Sequence, residues 1–295
     1  MVQGYSDTHF SLLGATTTED LPIGTVPVST VLTFHPHPQE YFSGHARPLL
    51  TPLAEKVIQL RRLGVEQLVL MPFNQSLASL SPEAFVEKIL LQHLQAQHIS
   101  VGQDFRFGQG RRGTVEDLRA IARAYGTEVT IVDLKQIHNQ RISSSRIRAA
   151  LDAGNLSEVE ILLNRPYCLM GRVVTGQKLG RTLGFPTANL ELPADKYLPR
   201  QGVYSVWVYG VEPEVHRPYP GVMNLGCRPT VDGQSQSVEV HLLQWSGDLY
   251  GKTLTVELNK FLRPEQRFDS LDQLKQQIQS DSAAAMASLT VGNHP

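Results

Sequence analysis

The hydrophobic pattern of this chain changes at Pro166, and the change limits the folds that it can adopt. From residue 29 to 165, short apolar runs such as Ser29–Phe34 and Gln67–Phe73 alternate with amphipathic helical segments. Strands that alternate with helices predict βαβ units and a mostly parallel sheet. After Pro166, short β-rich runs with frequent glycines and turn residues replace this alternation, which is typical of a closed barrel or sandwich.

Capping side chains mark where the helices should begin. A hydroxyl residue before an apolar periodic stretch, with proline or an acid or amide soon after it, is a helix start signal. The signals are Thr51-Pro52, Ser81-Pro82-Glu83, Thr114-x-x-Asp117, Ser143–Ser145, Ser157-x-x-Glu160 and Ser270-x-x-Gln273. The last of them predicts a C-terminal helix that reaches about Ser288.

Length and composition narrow the possible functions. The 295 residues predict two domains, and 41% hydrophobic residues suffice for ordinary cores. A formal net charge of −1 argues against a dominant attraction to nucleic acid or to an anionic membrane. No apolar run approaches the roughly 20 residues that span a bilayer. The only cysteines, Cys168 and Cys227, lie far apart and form no disulfide framework, so we expect a protein of the reducing cytoplasm.

A basic, glycine-rich loop before Gly184-Phe185-Pro186-Thr187-Ala188-Asn189 carries the clearest chemical signal. The loop contains Gly176, Lys178, Gly180 and Arg181. Such a loop brings backbone N–H groups and positive charge against a polyphosphate. In an extended segment the oxygens of Thr187 and Asn189 point to one face, and Mg²⁺ often takes only one or two ligands from protein. The segment predicts a Mg-nucleotide site; a tight turn between two strands is the alternative.

Motifs on both sides of Pro166 resemble known enzymes. In the second half they are Gly171–Asn189 with its Pro-Thr-Ala-Asn, Gly202-Val203-Tyr204, Gly221–Gly226, Arg228-Pro229-Thr230, Ser237-Val238-Glu239, Asp248–Gly251 and Arg267–Leu271. In the first half they are Thr33–Pro38, Gly102–Gly108 and Arg141–Arg148. The motifs after Pro166 resemble the riboflavin kinase family, and those before it resemble the adenylyltransferase half of the bacterial bifunctional FAD synthases.

The resemblance implies a fold and a reaction. Residues 29–165 would form a Rossmann-like nucleotidyltransferase domain, and residues 166–295 a six-stranded Greek-key kinase barrel with a C-terminal helix. The kinase would convert ATP and riboflavin into ADP and FMN with Mg²⁺ as cofactor, and the second activity of the family would adenylylate FMN to FAD. We expect no nucleic-acid or membrane partner, and the oligomeric state stays open.

The resemblance also implies roles for residues of the barrel. Glu239 would be the base that takes the proton of the attacking ribityl hydroxyl, while Thr187 and Asn189 would hold Mg²⁺ and phosphate. From the pattern alone Glu239 is more readily interpreted as a solvent-facing strand carboxylate, because Val238 and Val240 share the opposite face. The flavin site would include Arg263, Arg267 and Phe268, for which a solvated cap of the last helix is the alternative.

A second set of residues is predicted to bind nucleotide in the first half. Arg141, Ser144 and Ser145 precede or open a helix, where serines cap N–H groups whatever the function. A helix start beside an arginine is also an anion site, and the resemblance assigns these three residues to ATP. Asp104 completes the set, although it stands where the family commonly has asparagine.

The first 28 residues do not fit the resemblance. FAD synthases begin with a strand that enters a Gly-x-Phe-Asp-Gly-x-His-x-Gly-His motif for the ATP phosphates, and no such motif precedes Ser29. Two explanations stay open, a true start codon upstream and a truncated paralogue. Either way we expect this chain to lack adenylyl transfer, part of its parallel sheet to be unpaired and its first domain to be poorly soluble.

Two other functions compete with the kinase. One is a non-catalytic flavin-binding or regulatory module, which would bind flavin tightly without turnover. The other is a nucleic-acid-binding barrel, and the near-neutral charge and the absence of a basic, aromatic strand face count against it.

Overall fold

The computed structural model describes residues 11–12, 27–176, 180, 183–212, 217–230 and 233–291. The chain divides into two compact units, Met1–Arg47 with Leu53–Arg141, and Pro48–Pro52 with Ile142–Pro295. The predicted domain boundary at residue 165 stays a prediction, since residues 142–165 group with the barrel by compactness.

The first unit alternates strands and helices as the sequence pattern predicts. Its strands are β1 (Ser11–Leu12), β2 (Thr30–His35), β3 (Gln67–Pro72), β4 (His98–Gly102), β5 (Glu128–Val132), β6 (Gln136–Ile137) and β7 (Gln140–Arg141). Its helices are α1 (Pro38–Ser43), α2 (Leu53–Arg62), α3 (Gln75–Ala78), α4 (Pro82–Ala84), which continues as a π-helix (Phe85–His93), and α5 (Val115–Ala124). The helices α1 and α3 and the β6–β7 hairpin have no counterpart among the elements predicted from the sequence.

Two parallel ladders form the sheet structure of this unit. Strand β2 pairs in parallel with β3, and β4 pairs in parallel with β5. Among the described residues these ladders are not hydrogen-bonded to each other, although side chains from all four strands join one hydrophobic core. Strand β1 adds an antiparallel partner to β3 on the side away from β2.

Several capping predictions are confirmed and one is wrong. The hydroxyl of Ser81 accepts from the N–H of Ala84 at 3.1 Å. Thr114 and Asp117 form the expected capping box, with the Thr114 hydroxyl accepting from the N–H of Asp117 at 3.2 Å. Ser157 does not cap its helix: α7 (Leu156–Leu163) begins earlier, because the Asn155 side chain accepts from the N–H of Glu158 at 3.2 Å. Asparagine is as good a cap as serine, and its position decides the start.

The second unit is a closed six-stranded antiparallel barrel. Its strands are β8 (Cys168–Val174), β9 (Ala188–Glu191), β10 (Gly202–Tyr209), β11 (Tyr219–Thr230), β12 (Gly233–Leu242) and β13 (Thr253–Arg263). They close in the order β10-β11-β12-β9-β8-β13. The hydrophobic pattern predicts short strands in this part of the chain, and the family resemblance alone predicts that they number six. The helices of the unit are α6 (Ser144–Ala153), α7 and α8 (Leu271–Val291).

Alternation along the strands separates a barrel interior from an outer face. Val206, Met223, Val240 and Val256 are fully buried, and each is followed by a less buried residue that faces outward. Helix α8 packs against the outer face of β10, β11 and β13. The remaining outer face, over β12 and β9, is where the predicted site residues lie.

A buried ion pair fixes α8 to the barrel. The Arg263 guanidinium at the end of β13 donates to both carboxylate oxygens of Asp281, with Nε at 2.9 Å and Nη2 at 2.7 Å. Asp281 is only 6% exposed, and Gln277 adds a third donor at 2.9 Å. Since Nη1 donates to the carbonyl of Pro264 at 3.0 Å, the same arginine also fixes the start of the loop that follows β13.

We predict that Asp281→Asn destabilises the barrel by about 3 kcal/mol, because it leaves the Arg263 guanidinium partly buried without its counter-charge. Both tryptophans, Trp207 and Trp245, lie in the barrel unit, so a urea titration followed by tryptophan fluorescence reports on this unit. Asp272→Asn on the exposed side of the same helix is the control, and its cost should stay below about 1 kcal/mol. If both substitutions lowered the free energy of unfolding by the same amount, the role of the buried pair would be contradicted.

Candidate active site on the barrel

Strand register places three polar side chains in one row on the outer face. Asn189 on β9 is directly opposite Glu239 on β12, and Glu239 is directly opposite Asn224 on β11. Directly opposed residues on neighbouring antiparallel strands have Cβ atoms about 4.5–5.5 Å apart and point to the same face. Val238 and Val240 are buried in the interior, so the row faces outward, and each of its members is half-buried.

Thr187, just before β9, contacts the predicted base. Its hydroxyl donates to Oε2 of Glu239 at 3.2 Å. A hydroxyl has one proton and two lone pairs, so a threonine that donates to a carboxylate keeps its lone pairs for a cation or another donor. Thr187 and Asn189 therefore both lie next to this carboxylate, Thr187 by its hydrogen bond and Asn189 by strand pairing.

Three contacts hold the segment that leads into Thr187. The Nδ1 atom of His241 lies 2.8 Å from the carbonyl oxygen of Pro186, and Nδ1 must carry the proton because a carbonyl can only accept. The rings of His241 and Phe185 meet edge to face with centroids 5.6 Å apart. The N–H of Phe185 donates to the carbonyl of Gly180 at 2.8 Å, which closes the loop. No sequence signal marks His241 beyond its position two residues after Glu239.

The glycine at 176 is explained by close approach to a site residue. A β-carbon at this position would lie 2.2 Å from Nδ2 and 2.6 Å from Oδ1 of Asn189. At Gly180 it would lie 2.3 Å from the carbonyl oxygen of Phe185. Both predicted glycines are therefore fitted around the side chains and backbone of the Pro-Thr-Ala-Asn segment. The predicted cations Lys178 and Arg181 lie outside the described residues.

The donor set of this face suits Mg²⁺ better than a transition metal. It offers the Thr187 hydroxyl and the Asn189 amide, which are hard neutral oxygens. Within the described ranges, no group of three or more histidine, cysteine, aspartate or glutamate side chains that could hold a metal ion exists. A cation here would therefore depend on phosphate oxygens for most of its ligands, as Mg²⁺ in nucleotide sites does.

The residues predicted for the flavin site lie on or just after β13. The guanidinium of Arg263 is hydrogen-bonded to Asp281 and Pro264, and its carbon lies 5.9 Å from the ring centre of Phe268. Arg267 is exposed on the same loop. The direct contact of these three with flavin stays a prediction, and for Arg263 the structure shows a second role in anchoring the loop.

In the first unit, two of the predicted nucleotide-binding residues contact each other. Arg141 donates to the carboxylate of Asp104, so the acid that replaces the usual asparagine has a counter-charge. Asp104 also lines a crevice at the carboxyl ends of β4 and β5, which is where open α/β sheets bind their ligands. Ser144 and Ser145 are the first residues of α6 in the other unit, and Ser143 rather than either of them caps it, accepting from the N–H of Arg146 at 3.3 Å.

Comparisons with known proteins agree on one family. The sequence profile of riboflavin kinases matches residues 163–289, and that of FAD synthetases matches residues 22–146. The bifunctional riboflavin kinase/FMN adenylyltransferase of Escherichia coli (strain K12) is 43% identical over 256 residues, which cover 86% of this chain and 80% of that protein. The chain belongs to this bifunctional riboflavin kinase/FMN adenylyltransferase family. The Pseudomonas fluorescens member is 42% identical and is matched over 82% of its length.

A solved structure extends the likeness to the fold. A crystal structure described as a macrolide-efflux protein from Streptococcus pneumoniae superposes with a TM-score of 0.76 at 33% identity, covering 87% of this chain and 83% of that one. Family membership confirms the identification from sequence motifs, and the closed barrel with its C-terminal helix is the fold expected for the kinase half. In the part of the chain that the structure describes, no helix is long and apolar enough to cross a membrane.

We predict that Gly176→Ala weakens the binding of Mg-ATP about tenfold, because its methyl group displaces the Asn189 amide. Asn189→Ala should lose at least as much. The double variant should be no weaker than Asn189→Ala alone, since both changes remove the same contact. Calorimetric titration with Mg-ATP measures all three.

Thr175→Ala is the matched control for this prediction, because it changes the neighbouring exposed side chain without adding bulk against Asn189. Its affinity for Mg-ATP should equal that of the unaltered protein. If the losses of Mg-ATP affinity from the changes at 176 and 189 were additive, Gly176 would act independently of Asn189.

Proposed function

We propose that this chain is a riboflavin kinase, which transfers the γ-phosphate of ATP to the terminal ribityl hydroxyl of riboflavin and releases FMN and ADP. The observation that carries the proposal is the hydrogen bond from the Thr187 hydroxyl to Oε2 of Glu239, 3.2 Å long. Asn189 is the residue directly opposite Glu239 on the neighbouring strand. This contact puts a carboxylate beside two neutral oxygen ligands, on a barrel that matches the riboflavin kinase profile.

The carboxylate and the neutral ligands have different roles in the reaction. Glu239 accepts the proton of the attacking hydroxyl as the new P–O bond forms and the bond to the ADP oxygen breaks. Phosphoryl transfer otherwise depends on positioning and on neutralising charge. Thr187 and Asn189 hold the phosphate end of the nucleotide next to Glu239, so the attacking hydroxyl approaches from the side of Glu239 that faces β11.

Mg²⁺ fits this proposal through the chemistry of its donors. Thr187 and Asn189 would hold it together with phosphate oxygens, and when bound it would neutralise charge on the transferring phosphoryl group. The hydrogen bond from Thr187 to Glu239 orients the threonine oxygen, and the closeness of Gly176 to the Asn189 amide holds the amide in place.

FMN adenylyl transfer is the second candidate function. The match of residues 22–146 to the FAD synthetase profile supports it, as does the crevice beside Asp104 in the first unit. The sequence analysis predicts instead that this chain lacks adenylyl transfer, because no phosphate-binding motif with its two histidines precedes Ser29. A non-catalytic flavin-binding module is the remaining alternative to both activities.

A chromatographic product assay separates these functions. Purified protein is incubated with riboflavin, ATP and Mg²⁺, and FMN is resolved from FAD. FMN without FAD supports a kinase whose second activity is missing, and FAD in addition assigns both activities to the chain. Tight binding of riboflavin by folded protein without either product would reject the kinase and favour the binding module.

We predict that Glu239→Gln lowers kcat by about 10²–10⁴-fold while the affinity for ATP is kept, because only the proton acceptor is removed. Steady-state kinetics and a separate ATP titration measure the two quantities. Glu257→Gln, a half-buried carboxylate on β13 outside the row, is the control and should retain full activity. An undiminished rate in Glu239→Gln would remove Glu239 from the mechanism.

A further inference from the structure

The ladder between β9 and β12 ends where the segment that carries Thr187 begins. Among the described residues its last pair is Val240 opposite Ala188. Thr187 and Pro186 lie beyond this pair, and proline has no N–H group with which to continue a ladder. Pro186 is also exposed, so burial does not hold it. The position of Thr187 therefore depends on contacts that side chains make.

A side chain of β12 continues the attachment beyond the end of the ladder. Alternate residues of a strand point to one face, so His241 projects on the same side as Glu239. Its Nδ1 atom lies 2.8 Å from the carbonyl oxygen of Pro186, and the Thr187 hydroxyl donates to Oε2 of Glu239 at 3.2 Å. Two successive outward residues of β12 thus contact two successive residues of the segment.

The contact with Pro186 restricts the backbone that leads into Thr187. The carbonyl of Pro186 and the N–H of Thr187 belong to one planar peptide group. The proline ring fixes φ, so rotation about ψ of Pro186 is the main freedom left to this peptide. A hydrogen bond to the carbonyl oxygen restricts that rotation, and with it the path of the backbone into Thr187.

The imidazole of His241 makes two kinds of contact, and each predicts a different substitute. Its Nδ1–H donates to the carbonyl of Pro186, while its ring meets the ring of Phe185 edge to face with centroids 5.6 Å apart. An asparagine amide would keep a donor at the corresponding place in the side chain but has no ring. A phenylalanine would keep the ring but cannot donate.

We propose that His241 is a positioning residue of the kinase site, which acts through its Nδ1–H on the Pro186 carbonyl and so orients the Thr187 hydroxyl. In this role the imidazole exchanges no proton with the substrate. The inference rests on the proposed function, because that function gives Thr187 its part in binding Mg-ATP. The neutral and the charged imidazole serve equally, since both can carry a proton on Nδ1.

Two substitutions separate the hydrogen bond from the ring packing. His241→Phe should weaken the binding of Mg-ATP about three- to tenfold, the size expected when one neutral hydrogen bond is lost. His241→Asn should bind Mg-ATP as the unaltered protein does, because its amide donates to the same carbonyl. Calorimetric titration measures both affinities. The KM for riboflavin should be unchanged in both variants, and kcat should fall only in His241→Phe.

A third variant tests whether the effect passes through Thr187. Thr187→Ala removes the hydroxyl that His241 orients, and it should weaken Mg-ATP binding by itself. Adding His241→Phe to Thr187→Ala should cause no further loss, since two residues that act through one group are not additive. A full additional loss in the double variant would mean that His241 acts by another route, which overturns the proposal.

The protonation site of His241 can be measured without nucleotide or turnover. Long-range proton–nitrogen NMR correlation distinguishes the two neutral tautomers of an imidazole at mildly alkaline pH, and His241→Phe identifies the signal by removing it. We expect the Nδ1–H tautomer, because a hydrogen bond to a carbonyl decides which ring nitrogen carries the proton. The Nε2–H tautomer would exclude the hydrogen bond to Pro186 and overturn the proposal.

The outcomes separate this proposal from the kinase proposal. Normal Mg-ATP affinity in His241→Phe, or an equal loss in His241→Asn, overturns the role of the Nδ1 donor. If the unaltered protein binds Mg-ATP without making FMN, the kinase proposal fails while the affinities and the tautomer still decide the role of His241. If it does not bind Mg-ATP, both proposals are overturned.

Discussion

The register of β9, β12 and β11 is the constraint on which the candidate site depends. Asn189, Glu239 and Asn224 are far apart in sequence and come together only because each is directly opposite the next. A one-residue slip of β12 would turn Glu239 into the barrel and bring Val238 or Val240 to the surface. Since those valines are buried, the same hydrophobic burial that stabilises the barrel also keeps the carboxylate at the site.

Much of the fold could be predicted from the sequence. Strand and helix alternation before Pro166 and short strands after it predicted the parallel ladders and the barrel, and the hydroxyl caps at Ser81 and Thr114 were correct. The failure at Ser157 has a local cause, because a neighbouring asparagine offered an equally good cap. The strand β9 is only four residues long and begins inside a motif, so no hydrophobic period revealed it.

Less of the site could be predicted in this way. Thr187, Asn189 and Glu239 carry recognisable chemistry, and the motif around them was enough to select them. His241 and Asn224 carry no such signal, because their place on this face depends on which strand lies next to which. Arg263 was selected for flavin, yet its described hydrogen bonds go to Asp281 and Pro264, and a sequence gives no sign of such a partner on a helix eighteen residues away.

A β-carbon at Gly176 or Gly226 would collide with the side chain of another residue. Each leaves room for the amide or the carboxylate of another residue, which occupies the volume that its own β-carbon would take. A survey that ranks positions by the chemistry of their side chains would pass over both. In this barrel, part of the information that positions these side chains is therefore held by glycines, and it becomes visible only as a steric conflict when a methyl group is added.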